Sequence, residues 1–202
     1  MAPMPALPRS TRRELLDGDE IAPAELRRNL RDMAMLNRLA GGIGASLRAV
    51  GSLLNGEASL PVLDVGAGSG DFARALVRRR DVRVVVADTR ADVLDVARRG
   101  SRGVRGLEFV EADARELPLS DDSISVAHAS LLMHHLDPPD ATRALGEMGR
   151  VAAHGVVIND LYDLMLPNIG KLFPPNDVHP TKAGSLALAK QVAAHIEQAL
   201  AS

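Results

Sequence analysis

Three glycines at alternate positions, Gly66, Gly68 and Gly70, follow an apolar run in the stretch VLDVGAGSGDF at 62–72. Glycine lets a backbone approach a ligand without interference from a Cβ. The dinucleotide fingerprint G-x-G-x-x-G would need its third glycine at 71. That position is Asp71, so the spacing here is G-x-G-x-G. A second acid, Asp64, stands two residues before the first glycine. Carboxylates on both sides of the turn would repel a pyrophosphate and suit a ligand with a cationic amino group. Two further acids extend the pattern. Asp88 closes the run VRVVVAD, 22 residues after Gly66, where a carboxylate can accept hydrogen bonds from both ribose hydroxyls. Asp113 closes GLEFVEAD, where it could accept from an adenine amino group. Taken together, these residues describe a pocket for an adenosine that bears an ammonium group and no phosphate.

Such residues converge only if strands end side by side. LPVLDV (60–65), VRVVVAD (82–88), GLEFVEAD (106–113), ISVAHAS (124–130) and HGVVIND (154–160) read as five short strands. The segments 71–79, 91–99 and 138–152 read as the helices between them. This alternation predicts an α/β fold: a Rossmann-like, doubly wound parallel sheet of order 3-2-1-4-5 with ligands at the carboxyl ends of its strands. Residues 11–54 carry apolar positions at helical spacing, with GGIG (41–44) breaking the pattern. The expected organisation is a disordered N-terminus at 1–10, a helical cap at 11–58, the α/β core at 59–160 and a tail at 161–202.

The motifs VLDVGAGSGDFARAL, VVVADTRADVLDVARR, LEFVEADARELPLSDDSISVAHASLLMHHL and GEMGRVAAHGVVINDL occur in order. With them, residues 11–160 resemble the class I S-adenosylmethionine-dependent methyltransferases, particularly the small-molecule type with an N-terminal helical cap. The resemblance implies S-adenosyl-L-methionine as cofactor. It also implies that Asp64, Gly66, Ala67 and Gly68 hold the methionine end, that Asp88 and Thr89 take the ribose, and that Asp113 and Ala114 take the adenine. Ser130 would line the methyl-donor end, and Asn37 and Arg38 would close over the cofactor. His134 and His135, expected to open a helix beside the pocket, are candidates for a general base because imidazole titrates near neutral pH. The acceptor is expected to be a small, apolar or aromatic molecule.

Composition narrows the alternatives. A formal charge of −2 gives no electrostatic reason to expect nucleic acid or an anionic membrane as partner. The absence of cysteine excludes disulfides, thiolate metal sites and a Cys nucleophile. The six histidines show no metal-ligand spacing such as H-E-x-x-H, so no metal is expected. No apolar run reaches transmembrane length, and a soluble cytoplasmic protein is expected.

The cations change along the chain: all 21 arginines precede residue 151 and all three lysines follow residue 170, which points to a seam near 160–165. Beyond it the chain departs from the methyltransferase pattern. The remaining length leaves room for one long helix, so the two final strands of that family are expected to be missing. The tail resembles the last block of SGNH (GDSL-type) hydrolases, in which a D-x-x-H-P stretch supplies Asp and His. The matching run is N-D-V-H-P, with Asp177 and His179 separated by one residue. A hydrolase reading lacks its nucleophile, since no G-D-S stretch occurs. A cofactor-binding domain without catalysis is the other alternative, because the missing strands normally support the substrate side.

Overall fold

The computed structural model describes residues 21–39, 42–54 and 59–159. The expected N-terminal disorder, the helical reading of 11–20, and the tail with its helix, Asp177 and His179 lie outside the described residues, as does the expected lack of two further strands.

Helices α1 (Pro23–Leu39) and α2 (Gly42–Leu53) come first. The alternating part follows as β1 (Val62–Val65), α3 (Asp71–Val77), β2 (Val84–Asp88), α4 (Ala91–Gly100), β3 (Leu107–Glu111), β4 (Ile124–Ser130), α5 (Pro138–Val151) and β5 (Ala152–Asn159). All five strands pair in parallel, in the order β3-β2-β1-β4-β5. This is the predicted topology, with strand ends shifted by up to two residues. The largest consequence is at the third strand, which ends at Glu111; Asp113 lies past it, in a turn bridged to Glu116. The glycine-rich break also moves. Gly42, Ile43 and Gly44 lie inside α2, so the interruption falls before Gly42.

Each central strand is apolar on both faces, as a sheet covered on both sides requires. Leu63, Val65, Val85, Ala87, Ala127 and Ala129 pack with Ala144, Met148 and Val151 of α5. The alternate positions, Val62, Val84, Val86 and Val126, pack with Leu47 and Val50 of α2, Phe72 and Leu76 of α3, and Leu94 of α4. On this second face the sequence changes character at the carboxyl ends of the strands. The next residues of the same parity are Asp64, Asp88, His128 and Ser130. Side chains of one strand that share a face are two residues apart, so a polar floor forms where the apolar one stops.

Helix α5 opens at Pro138, with Asp137 as its cap accepting from the Asp140 amide at 2.9 Å. His134 and His135 belong to a short 3-10 turn, Met133–His135, that precedes α5. At β5 the register slips between Ile124↔Ala152 and Val126↔Gly155. Gly155 has φ 144 at this bulge, a conformation other residues rarely take. The slip brings Asn159 level with Ser130.

Candidate functional site

Strand order reverses between β1 and β4, and a cavity of about 590 Å³ opens there at the carboxyl ends of the strands. Its wall includes Asp64, Gly66, Ala67, Gly68, Asp88, Thr89, Asp113, Ala114, Ser130, Asn37 and His135. The structure therefore brings together every proposed cofactor contact except Arg38, which is exposed and does not reach the wall. Adjacent residues on a helix point in different directions, and of this pair only Asn37 faces inward. The His134 side chain lies outside the described residues.

The glycine turn owes its composition to backbone shape. Gly66, Gly68 and Gly70 have φ of 62°, 53° and 72°, all left-handed. A Cβ on Gly66 would also stand 2.8 Å from the Leu132 side chain. Gly70 caps α3, and its amide donates to the Ala67 carbonyl at 2.8 Å. The Gly68 amide donates to Asp88 Oδ2 at 3.2 Å, while the Arg90 amide donates to Asp88 Oδ1 at 3.1 Å. Burial pushes the Asp88 carboxyl above the usual carboxylate range, against the pull of these two amides.

Three acids were expected to face the ligand in similar fashion, but they differ. Asp113 is already engaged: Arg115 donates from Nε and Nη2, at 2.6–3.0 Å, and reaches Asp140 with Nη1 at 2.5 Å. The Arg115 side chain beside it holds the Asp113 carboxyl below its ordinary range. Asp64 is the opposite case. It is 2% exposed, and burial raises its pKa, opposed chiefly by a hydrogen bond from His128. Its Oδ2 is buried with no hydrogen-bond partner, and so is Oδ2 of Asp71 across the glycine turn. At the tip of the cap helix, Asn37 donates to Ser130 Oγ at 3.2 Å, while its own Oδ1 is buried and unpartnered.

Three acceptor oxygens orphaned around one cavity are costly unless a donor arrives. Two of them are carboxylate oxygens, so the best donor is cationic. An amino group together with adenosine hydroxyls fits this donor demand, and the glycine turn gives it room. Sequence reasoning placed Asp71 beside the turn without giving it a ligand contact, although it is a wall residue with an unmet acceptor. It missed His128, which stands directly opposite Asp64 in the β1–β4 register. Strand parity was the available signal, since His128 lies two residues before Ser130.

The parallel sheet in this order, with its cleft at the switch point, is the fold of a class I S-adenosylmethionine-dependent methyltransferase domain. Residues 62–155, from β1 into β5, match the family model of a methyltransferase domain. The chain is 38% identical over 128 residues to the demethylmenaquinone methyltransferase of Thermus thermophilus, covering 60% of this chain and 56% of that protein. It is 33% identical over 107 residues to the malonyl-[acyl-carrier protein] O-methyltransferase of Pectobacterium atrosepticum, covering 53% and 40%. The chain thus spans about half the length of these curated relatives. In fold it resembles a structure from Methanococcus maripaludis assigned as an S-adenosyl-L-methionine-dependent methyltransferase. The TM-score is 0.57 at 14% identity, over 89% of this chain and 88% of that one. Among the described residues, no helix is long and apolar enough to cross a membrane.

Proposed function

We propose that the protein transfers a methyl group from S-adenosyl-L-methionine to a small apolar or aromatic acceptor. The orphaned carboxylate oxygens of Asp64 and Asp71 beside the glycine turn carry this reading, because they call for a cation and repel a pyrophosphate. Asp64, Gly66, Ala67 and Gly68 would hold the methionine end, Asp88 and Thr89 the ribose, and Asp113 and Ala114 the adenine. Asn37 and Ser130 would close the methyl-donor end. When bound, the cofactor supplies an already activated sulfonium methyl group. The chain's own task is to align the acceptor and exclude water. Leu30, Met33, Leu131, Leu132 and Leu136 give the cavity an apolar side, which supports an acceptor of matching character. His135 on the wall is placed to take a proton from a hydroxyl acceptor. The tail's likeness to SGNH hydrolases adds no activity here, because no nucleophilic serine motif accompanies it.

Calorimetric titration with S-adenosylhomocysteine and with NAD, side by side, tests the cofactor reading. Saturable binding of the first and none of the second is expected; the reverse pattern would overturn it. Methyl transfer to a panel of quinol and phenol acceptors tests the activity. His135→Ala is expected to lower turnover by roughly 10²-fold and leave cofactor affinity unchanged. Binding without transfer to any acceptor would favour the catalytically incomplete domain.

A further inference from the structure

Behind the cavity wall runs a buried polar chain in which the proposed methyl-transfer chemistry has no part. His128 is fully buried in β4, with its ring stacked on Phe72 at 3.7 Å between centroids and 24° between planes. Its Nδ1 lies 2.8 Å from Asp64 Oδ1, and its Nε2 lies 2.9 Å from Ser46 Oγ on α2. Ser46 is 2% exposed. Asn159, at the end of β5, donates from Nδ2 to Ser46 Oγ at 3.0 Å and to the Gly42 carbonyl at 2.9 Å.

These contacts fix the direction of the hydrogen bonds at the two ends of the chain. A carbonyl can only accept, so the Gly42 contact identifies the Asn159 nitrogen and sets the orientation of its amide. Ser46 Oγ therefore accepts from Asn159, and its own hydrogen is free to go to His128 Nε2. On the other side of the ring, Nδ1 faces a carboxylate, which when ionised can only accept, so Nδ1 carries a hydrogen. That hydrogen goes to Asp64 Oδ1. The result is a continuous relay: Asn159 donates to Ser46, Ser46 is hydrogen-bonded to His128, and His128 donates to Asp64. Although Ser, His and Asp here have the spacing of a hydrolytic triad, Ser46 is sealed from the cavity and cannot serve as a nucleophile. The relay meets the cavity at Asp64 and His128, which both belong to its wall, and the remaining oxygen of Asp64 has no hydrogen-bond partner.

We propose that Asn159, Ser46 and His128 form a positioning relay that fixes one oxygen of Asp64 so that the other recognises the amino group of the bound nucleoside. His128 is then the residue that makes the site selective for nucleosides carrying an amino-acid arm. The proposal rests on the cofactor reading above. It goes further by assigning that selectivity to the side chain that sets the position of Asp64.

The test compares S-adenosylhomocysteine, which has the amino-acid arm, with 5′-methylthioadenosine, which lacks it, by calorimetry. Three variants are used. His128→Phe keeps a ring on Phe72 and removes both nitrogens. His128→Asn puts an N–H close to where Nδ1 stood. Ser46→Ala cuts the relay one step earlier. Wild-type protein is expected to prefer the homocysteine ligand by roughly tenfold or more, the size of one charged hydrogen bond. His128→Phe should lose that preference while its affinity for 5′-methylthioadenosine stays within about threefold; His128→Asn should restore it, and Ser46→Ala should fall between. Parallel weakening of both ligands, or an unchanged preference in His128→Phe, overturns the relay while leaving the cofactor reading intact. If His128→Phe does not fold, an unchanged preference in Ser46→Ala overturns it instead. A wild-type protein that binds neither ligand overturns the cofactor reading, and the relay with it.

Discussion

A carboxylate as buried as Asp64 works against folding at neutral pH unless its charge is met. Burial is the largest influence on it and raises its pKa; the hydrogen bond and the field of His128 pull the other way without cancelling the rise. A folded-state pKa above the unfolded value has a definite sign in linkage. The contribution to stability is fully present below the unfolded pKa and is lost as pH rises through the folded one. Asp64→Asn removes the charge and retains a side-chain oxygen for the His128 N–H. The ligand-free variant is therefore expected to melt a few degrees above wild type at pH 7. The gap should close as pH falls below about 4, where wild-type Asp64 is itself protonated. Thermal melts at the two pH values check this, and a variant that melts lower than wild type at pH 7 would refute it. The same substitution should weaken S-adenosylhomocysteine binding, which would make Asp64 a residue kept for function at the expense of stability.

Among the elements, α5 is the one whose far end fastens a loop. Glu147 accepts from the Leu117 amide at 2.8 Å and from Arg150 Nε and Nη2 at 2.7 and 2.8 Å. Arg150 in turn donates to the carbonyls of Leu117 and Leu119 at 3.1 and 2.8 Å and to Asp121 at 2.7 Å. The segment leading into β4 is thus tied to the last turn of α5, which helps keep Ser130 and His128 in place at the other end of the strand. Arg150, and then the Leu117 amide, depress the Glu147 pKa to about 2. A depressed folded-state pKa contributes stability above the unfolded value, near 4.3, and that contribution is lost as pH falls towards 2. Wild type is expected to lose more stability than Glu147→Gln across that window in urea melts; parallel curves would refute the clamp. Little of this was legible in advance. Strand positions, topology and the glycine turn follow from apolar periodicity and turn chemistry, which are local. Arg115 with Asp140, or Asp64 with His128 and Ser46, depend on side chains brought together across 25 to 82 residues. In the run ISVAHAS, His128 reads as one more strand residue until the register sets it opposite Asp64.

Over the whole molecule, the net charge of −2 conceals a separation. The exposed Arg78, Arg79, Arg80, Arg83, Arg102 and Arg105 gather where β2 and β3 begin, whereas Asp64, Asp71, Asp88 and Asp113 gather at the other end. The end that takes the ligand is therefore the acidic one, with potential favouring a cation before any contact forms. Over that end lies α1, none of whose described residues joins the two larger apolar clusters. Leu26 and Leu30 pack with Val93 in a small satellite cluster, and Asn37 reaches Ser130. By contrast, β1 is buried at every position, as is β4 up to Ala129. Few apolar contacts mean a low free energy of local opening, and opening of α1 would expose the cavity without disturbing the sheet. Amide hydrogen exchange measures this directly. In the ligand-free protein, α1 should exchange at least tenfold faster than β1 and β4. Saturating S-adenosylhomocysteine should slow α1 strongly and leave α5, on the opposite face of the sheet, nearly unchanged. If α1 proved as protected as β4 without ligand, or was indifferent to its arrival, the helix would be a fixed wall of the cavity and ligand entry would need another route.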